Sequence, residues 1–565
     1  MRLNSILLLV VIGCAGAQSK PQPAAPAAPG SAPAATAPLP AVAPAPAAEA
    51  PAAGIVPALP MTDPSLVAVV RVKEPLDLAH RLGISNDELT RRFPGFNPAD
   101  LHPGTGAVFF WQQPPDDSRT APFAILAPAS PDSAIAQRLQ SPSSGFTVAP
   151  AGKDILVVAD KELLSRQAKN GPELQALART PMRDDLAVDV NVVSLLARYG
   201  GQMRAFVERM GSSSKAGSNE GNQAGAIKPL MSFIDSLGSY ATMTLGARLL
   251  PRDFRFSLVT RAKTPPPEPT TVPPPAVEAV RYLQPAALRL QASGRFLEKS
   301  LSLSRSFYSG LYADQPNLAK AMEETFAGEE QGLKSLRQGA FSFSLSAERI
   351  MHLIYIEEST DPGAVRELLE KNLARISDPS VQRELGNKHL SCATKVTKAA
   401  RKVAGLPVYK SELNCKRAPG AEPAEGDFLR KLYPITTEIV QAAGFLVVEI
   451  NGDGKGDLAR IVREILAGSP SGPALAASAT FPEPGVFKAD LDLVRLVGEI
   501  NRMIPAGSAM RLPELDASLA PLVADGRDSG GSSEYRAQIS RATVAALIQM
   551  FRQLSPPNKE PDKAP

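Results

Sequence analysis

Two segments of this 565-residue chain align residue by residue: Asp189-Val190-Asn191-Val192-Val193-Ser194-Leu195-Leu196 and Asp490-Leu491-Asp492-Leu493-Val494-Arg495-Leu496-Val497. A match that recurs in order along a chain constrains the fold strongly, because the same pattern of apolar and polar residues must bury the same faces twice. Here it recurs. An apolar strand and a helix open each half: Leu66-Val67-Ala68-Val69-Val70 before Leu76 to Leu82, and Ala287-Leu288-Arg289-Leu290 before Phe296 to Leu301. Next come Gly106-Ala107-Val108-Phe109-Phe110 and Gly339-Ala340-Phe341-Ser342-Phe343, then Phe123 to Leu126 and Leu353 to Ile356. Ile155 to Val158 matches Phe445 to Val448, and Phe254 to Leu258 matches Tyr535 to Ile539 more loosely.

The offset between matches grows from roughly 230 to roughly 300 residues, so the second copy is expected to carry an insertion of about 60. The fold class expected is α+β: two tandem copies of a mixed strand-helix domain, with antiparallel sheet and helices packed on one face, preceded by a disordered Ala/Pro-rich linker. Period-two alternation, as in Phe341, Phe343 and Leu345 against Ser342 and Ser344, supplies the strands. Ser130-Pro131 and Asp361-Pro362 read as a capping residue followed by a first-turn proline. The second of these helices sets Val365, Leu368, Leu369 and Ile376 on one face. The boundaries expected are copy 1 over 61–263, a Pro-rich linker over 264–275, copy 2 over 276–554 with its insertion near 380–430, and a disordered tail over 555–565. Gly211 to Ala226, rich in Ser, Gly and Asn, reads as a loop.

Ahead of the repeats, residues 18–60 alternate Ala and Pro almost without charge, which cannot form a core and favours extended conformations. At about 3.1 Å per residue such a stalk reaches roughly 120 Å. The formal charge of +4 is spread thinly and no run of Lys and Arg tracks a phosphate backbone, so nucleic acid is not an expected partner.

Met1-Arg2, the apolar run Leu3 to Ile12 and the small residues after it read as an export signal over residues 1–17, too short for a permanent span. Val11-Ile12-Gly13-Cys14 resembles the lipobox of bacterial lipoproteins. That resemblance implies lipidation of Cys14, a mature chain starting there, and a membrane attachment through the N-terminal lipid. Ala15 after the cysteine then implies sorting to the outer membrane, facing the periplasm or the cell surface. Cleavage after Ala15-Gly16-Ala17 is the alternative. Either cut leaves Cys392 and Cys415 in an oxidising compartment, where they are expected to form a structural disulfide. The duplicated plan over residues 62 to 553 resembles a family of uncharacterised bacterial envelope proteins, which implies location and architecture but no activity.

Motifs that carry chemistry are sparse. Asn451-Gly452-Asp453-Gly454-Lys455-Gly456-Asp457 resembles the start of a calcium loop but has Lys455 at the fifth position and Val462 at the twelfth, so a Gly-rich turn with Asp457 capping the helix from Leu458 is the reading. The pairs Asp189/Asn191 and Asp490/Asp492 each lie on one strand face; solvated strand edges or helix caps account for them. Ser212-Ser213-Ser214-Lys215 has the Ser-x-x-Lys spacing but falls in the low-complexity loop. His80, His102, His352 and His389 are scattered, and no metal, cofactor or catalytic site is expected. A lone Trp111 gives little for stacking sugars. The function expected is a non-enzymatic envelope lipoprotein acting as an interaction or scaffold module, its partner another envelope protein. The alternative is a carrier of an apolar or lipid ligand held between the halves, and a less favoured reading is an extracytoplasmic hydrolase.

Overall fold

The computed structural model describes residues 55 and 59–554 apart from 62, 93–96, 113–121, 142–144, 159–170, 214–229, 232–233, 265–276, 313–314, 349, 386–389, 418–432, 453–455, 505–507, 509–510 and 530. Residues 1–17, read as an export signal with Cys14, together with nearly all of the Ala/Pro segment, the Pro-rich linker, the stretch from Ser214 to 229, His389 and residues 555–565, lie outside the described residues. Leu59 is buried in the first core, so the folded part starts inside the stretch read as stalk.

Eighteen strands are described: β1 Leu66–Lys73, β2 Thr105–Trp111, β3 Phe123–Ala127, β4 Thr147–Ala151, β5 Asp154–Val158, β6 Leu186–Asn191, β7 Tyr240–Leu249, β8 Asp253–Ala262, β9 Leu288–Ser293, β10 Leu336–Ser346, β11 Ile350–Ser359, β12 Leu390–Val403, β13 Leu406–Arg417, β14 Ile435–Ala442, β15 Phe445–Ile450, β16 Phe487–Leu491, β17 Leu522–Ser529 and β18 Ser532–Ser540. All their pairings are antiparallel. In the first half the hydrogen-bonded order is β4-β5-β3-β2-β1-β6-β7-β8. In the second it is β14-β15-β11-β10-β9-β16-β17-β18, the same order met again, with the β12-β13 hairpin added outside β14. The last strands of the two halves, β8 and β18, pair with each other and make one continuous sheet.

Register ties the halves to the sequence matches. Val72 faces Gly106 in the first half and Ala292 faces Gly339 in the second; Ala107 faces Leu126, and Ala340 faces Ile356. At the third match the register differs from the sequence alignment by one residue. Val158 faces Ala124 and Glu449 faces Ile354, so Glu449, not Val448, holds the place of Val158.

Helices cover both faces of the sheet, not the single face expected. On β11, Leu353 and Tyr355 point into a core closed by Val365 and Leu369 of helix Pro362–Ile376, while Ile354 and Ile356 point the other way, into a core closed by Leu458, Ile461, Val462 and Ile465 of helix Asp457–Ala467. The first half repeats this, with helix Ala134–Leu139 over Ile155 and Val157, and helix Gly171–Arg179 over Leu156 and Val158. The reason is visible in β5 and β15, which are buried at every position but one: such near-continuous apolar strands need cover on two sides.

Local chemistry sets the helix starts. Asp361 accepts from the Ala364 N–H at 3.0 Å, as its sequence context predicts. Ser130 instead opens a turn, and Ser133 caps the helix from Ala134. Gly456, at φ 88°, is the N-cap before Asp457; a side chain is strained at that φ, so the cap falls on the glycine and Asp457 is the first helical residue. Helix Val192–Ser213 runs past Gly211, where a loop was expected to begin.

Candidate functional site: the seam between the halves

Alternation along β7, β8, β18 and β17 gives the seam two unlike faces. On one, inward positions carry charge where a core would carry leucine. Glu534, fully buried, accepts from Arg183 of the first half and from Arg527 of the second. Arg536 donates from Nε to Asp525 at 2.8 Å and reaches Glu483 at 3.1 Å, and its guanidinium lies 4.6 Å from the Phe481 ring centroid, with Arg255 at 5.3 Å from the same ring. Arg255 also donates to Gln538 across the β8-β18 pairing at 2.8 Å. Burial alone would lower Arg536; the hydrogen bonds to Asp525 and Glu483 and the charges of Asp525 and Glu534 overcome it and hold the guanidinium above its ordinary value. Burial, helped by Arg536, pushes Arg255 down.

Asp184 differs from its neighbours. Burial raises its pKa, against the Ser257 hydroxyl that donates to Oδ2 at 2.8 Å and the charge of Arg183, while Oδ1 has no hydrogen-bond partner. Gly246 makes room for it: a Cβ there would lie 2.0 Å from Oδ2. Next in sequence, Asp185 goes the other way. Burial works to raise it, but Arg81 and the Leu249 N–H, which donates at 2.6 Å, hold it below the usual carboxylate range. The cavity here is about 20 Å³ and is lined by Arg71, Arg183, Asp184, Asp189, Thr244 and Ser257. Arginines fixed in ion pairs and carboxylates held by them tie strands together; they are poorly placed to exchange protons.

The other face of the seam is apolar and half open. Leu245 is 50% exposed and Phe256 49%. Leu258 faces Leu245, and Phe256 lies between Ala247 and Ala537 in the paired strands. Leu258, Met243, Tyr535 and Ile539 on the same face are partly exposed. Helix Arg541–Leu554 leaves β18 beside this strip, with the Arg541 guanidinium 5.7 Å from the Phe254 ring centroid, and it exposes Ile548, Phe551 and Leu554.

The residues singled out in the sequence fall elsewhere. Cys392 and Cys415 are directly opposite each other on β12 and β13 and form the expected disulfide, against the core that includes Leu413 and Tyr433. Asn191 and Asp492 are caps, accepting from the Ser194 N–H at 3.1 Å and the Arg495 N–H at 2.9 Å. Asp189 and Asp490 are not solvated edges. Asp189 is buried against Arg71 and Thr244, and Asp490 against Arg289 and the N–H groups of Ala476 and Ala477. Both sit on the charged face because each strand's neighbour offers an arginine. His80 contacts Asn86, and His102 lies 3.1 Å from Asp154; these two histidines border a cavity of about 220 Å³ beside helix Pro75–Arg81. Trp111 donates to Asp63 at 3.0 Å. The Ser-x-x-Lys stretch lies outside the described residues from Ser214 on. His352, Glu449 and Asp457 converge, with their ligand atoms all within 4.8 Å of one another.

The seam itself was missed in the sequence. Its signal was present as charges at alternate positions, Asp525 and Arg527 on β17 and Glu534 and Arg536 on β18, which read as surface until the partner strand is known. Among the described residues no helix is long and apolar enough to cross a membrane. The disulfide fits an oxidising, extracytoplasmic compartment. No protein-family model, curated protein or solved structure matches the chain.

Proposed function

We propose that this chain is an exported envelope lipoprotein, tethered through Cys14 and built as two tandem copies of one α+β unit, which serves as a non-enzymatic interaction module. The observation that carries the proposal is the open apolar strip at the seam, with Leu245 and Phe256 about half exposed on strands whose opposite face is buried. Contiguous apolar surface of this kind marks a site where another molecule docks. Support for the duplication is the strand order met twice, with the sequence matches falling on corresponding strands. Support for the tether is the apolar run that ends in Gly13-Cys14 and the Ala/Pro stretch behind it, which would let the folded part reach partners in the envelope. The kinship with uncharacterised envelope proteins belongs to the same proposal.

A carrier of an apolar ligand is the second reading, favoured by the same strip. It asks for a dry hollow of a few hundred Å³ against the strip; the cavity of about 20 Å³ lined by charge is on the opposite face of the sheet.

The test is a photo-crosslinking residue at position 256, in chains expressed in the native host with Cys14 intact or changed to Ala. A discrete protein adduct, absent with the probe at exposed Glu208 on helix Val192–Ser213, supports the module. An adduct with lipid alone moves the assignment to the carrier. Intact mass settles the tether: a chain starting at Cys14 plus acyl groups supports it, and an unlipidated chain starting at Gln18 removes it.

A further inference from the structure

The geometry points to a divalent metal site of the zinc class formed by His352, Glu449 and Asp457. His352 is on β11, Glu449 on the adjacent strand β15, and Asp457 opens the helix that packs on this face. Nε2 of His352 lies 3.0 Å from Oε1 of Glu449, and the three ligand atoms lie within 4.8 Å of one another. Zinc bonds of about 2.1 Å set neighbouring ligand atoms roughly 3–3.5 Å apart, a little closer than the 4.8 Å within which these three atoms lie.

Two independent features say that this place wants a cation. The first is the position of Glu449. It is 6% exposed and stands where the corresponding strand of the first half has the core residue Val158. A buried carboxylate replacing a valine is costly unless something positive meets it. The second is its neighbour. Glu449 faces Glu438 directly across β14-β15, and opposite like charges destabilise a sheet. Glu438 is met by the Arg401 guanidinium, which donates to both its oxygens. One guanidinium thus serves both acids, since the Arg401 charge also acts on Glu449, and the ion-pair contact of Glu449 is Nε2 of His352 at 3.0 Å. Gly452 closes the site from above, since a Cβ there would come within 2.7–2.9 Å of the Glu449 carboxylate.

One imidazole nitrogen and two carboxylate oxygens suit zinc better than calcium or magnesium, which favour all-oxygen sets. Asp457 is available for this: its contact to Arg460 is a long one at 3.5 Å. Without metal, the Nε2–H of His352 donates to Glu449. Metal needs the lone pair of that nitrogen, so on binding the ring proton moves to Nδ1 and Glu449 turns from hydrogen-bond acceptor to ligand. Three protein ligands leave a fourth tetrahedral position for water or for a donor from another molecule.

The test is a chelator-competition titration of the full-length, disulfide-intact chain with Zn²⁺, alongside His352→Gln, Glu449→Gln and Asp457→Asn, each first melted in EDTA. Saturable binding by the wild type, weakened more than about tenfold in each variant, with EDTA melting points unchanged for at least His352→Gln, establishes the site. His352→Gln is the control for folding, because its side chain is only partly buried and the amide keeps a donor for Glu449. Wild-type protein that takes up no Zn²⁺ overturns the proposal, leaving a histidine-carboxylate hydrogen bond. So does binding that survives His352→Gln undiminished.

Discussion

Arg71 donates from Nε to Oδ2 of Asp189 at 2.9 Å, and both side chains are buried on the charged face of the sheet. Breaking such a pair from one side strands a charge without water. Asp189→Ala is expected to cost about 3–5 kcal/mol in urea unfolding. The double change Arg71→Met with Asp189→Leu should recover most of that, because the apolar pair leaves no ion behind. A double variant as weak as the single one would show that the pair contributes more than its own charge balance.

Glu534 joins the halves through Arg183, so its removal is predicted to uncouple them. Trp111 is buried in the first half and is the chain's lone tryptophan, which makes its fluorescence a reporter of that half. In the wild type, fluorescence and far-ultraviolet dichroism should report one coincident transition. In Glu534→Ala the buried Arg527 and the partly buried Arg183 lose their acid, at a cost of about 3–5 kcal/mol, and the two signals should separate. Coincident curves in the variant would place the coupling in the β8-β18 backbone pairing instead.

Asp184 sets a pH dependence. Burial raises its folded pKa above the ordinary aspartate value of 3.8, with Arg183, Arg248 and Ser257 partly offsetting and Glu534 adding to the rise. A raised acid contributes stability that is full below the unfolded pKa and lost as pH rises through the folded one. Asp184→Asn keeps an acceptor for Ser257 and removes the charge. Its stability should match the wild type below pH 3.8 and exceed it by about 1–3 kcal/mol at neutral pH. A variant weaker than wild type at neutral pH would show that Arg183 needs the carboxylate.

The disulfide closes a span of 23 residues around the β12-β13 hairpin. Replacing Cys392 and Cys415 with Ala should cost roughly 3 kcal/mol by chain entropy. The loss should be local, because most of β12 is exposed and its buried anchor is Val403 beside the turn, while β13 keeps its own anchors in Val408 and Leu413. Limited proteolysis should then add cuts within 390–417 to those seen in the wild type; new cleavage spread over the second half would assign the hairpin a wider role.

The α+β class and most of the strands were legible in the sequence, because period-two and helical patterns are local and survive without knowledge of partners. Gly106 and Gly339, Leu126 and Ile356, and Asp189 and Asp490 were matched from sequence and fall on corresponding strands in corresponding registers. The cysteine pair was legible from composition, since Cys392 and Cys415 are the two cysteines of the chain beyond Cys14. The third match slipped by one residue because Ile155 to Val158 and Phe445 to Val448 are apolar throughout and carry no alternation to set the phase. Cover on both faces was hidden in the same runs.

Pairing between distant strands decided the rest. That β8 lies beside β18, that Arg183 meets Glu534, and that Glu449 stands in the place of Val158 opposite Glu438 are facts of register, and no local pattern encodes which strand a strand will join. Charge buried at such pairings looks like surface charge in a linear chain, since only the neighbouring strand determines whether water reaches it.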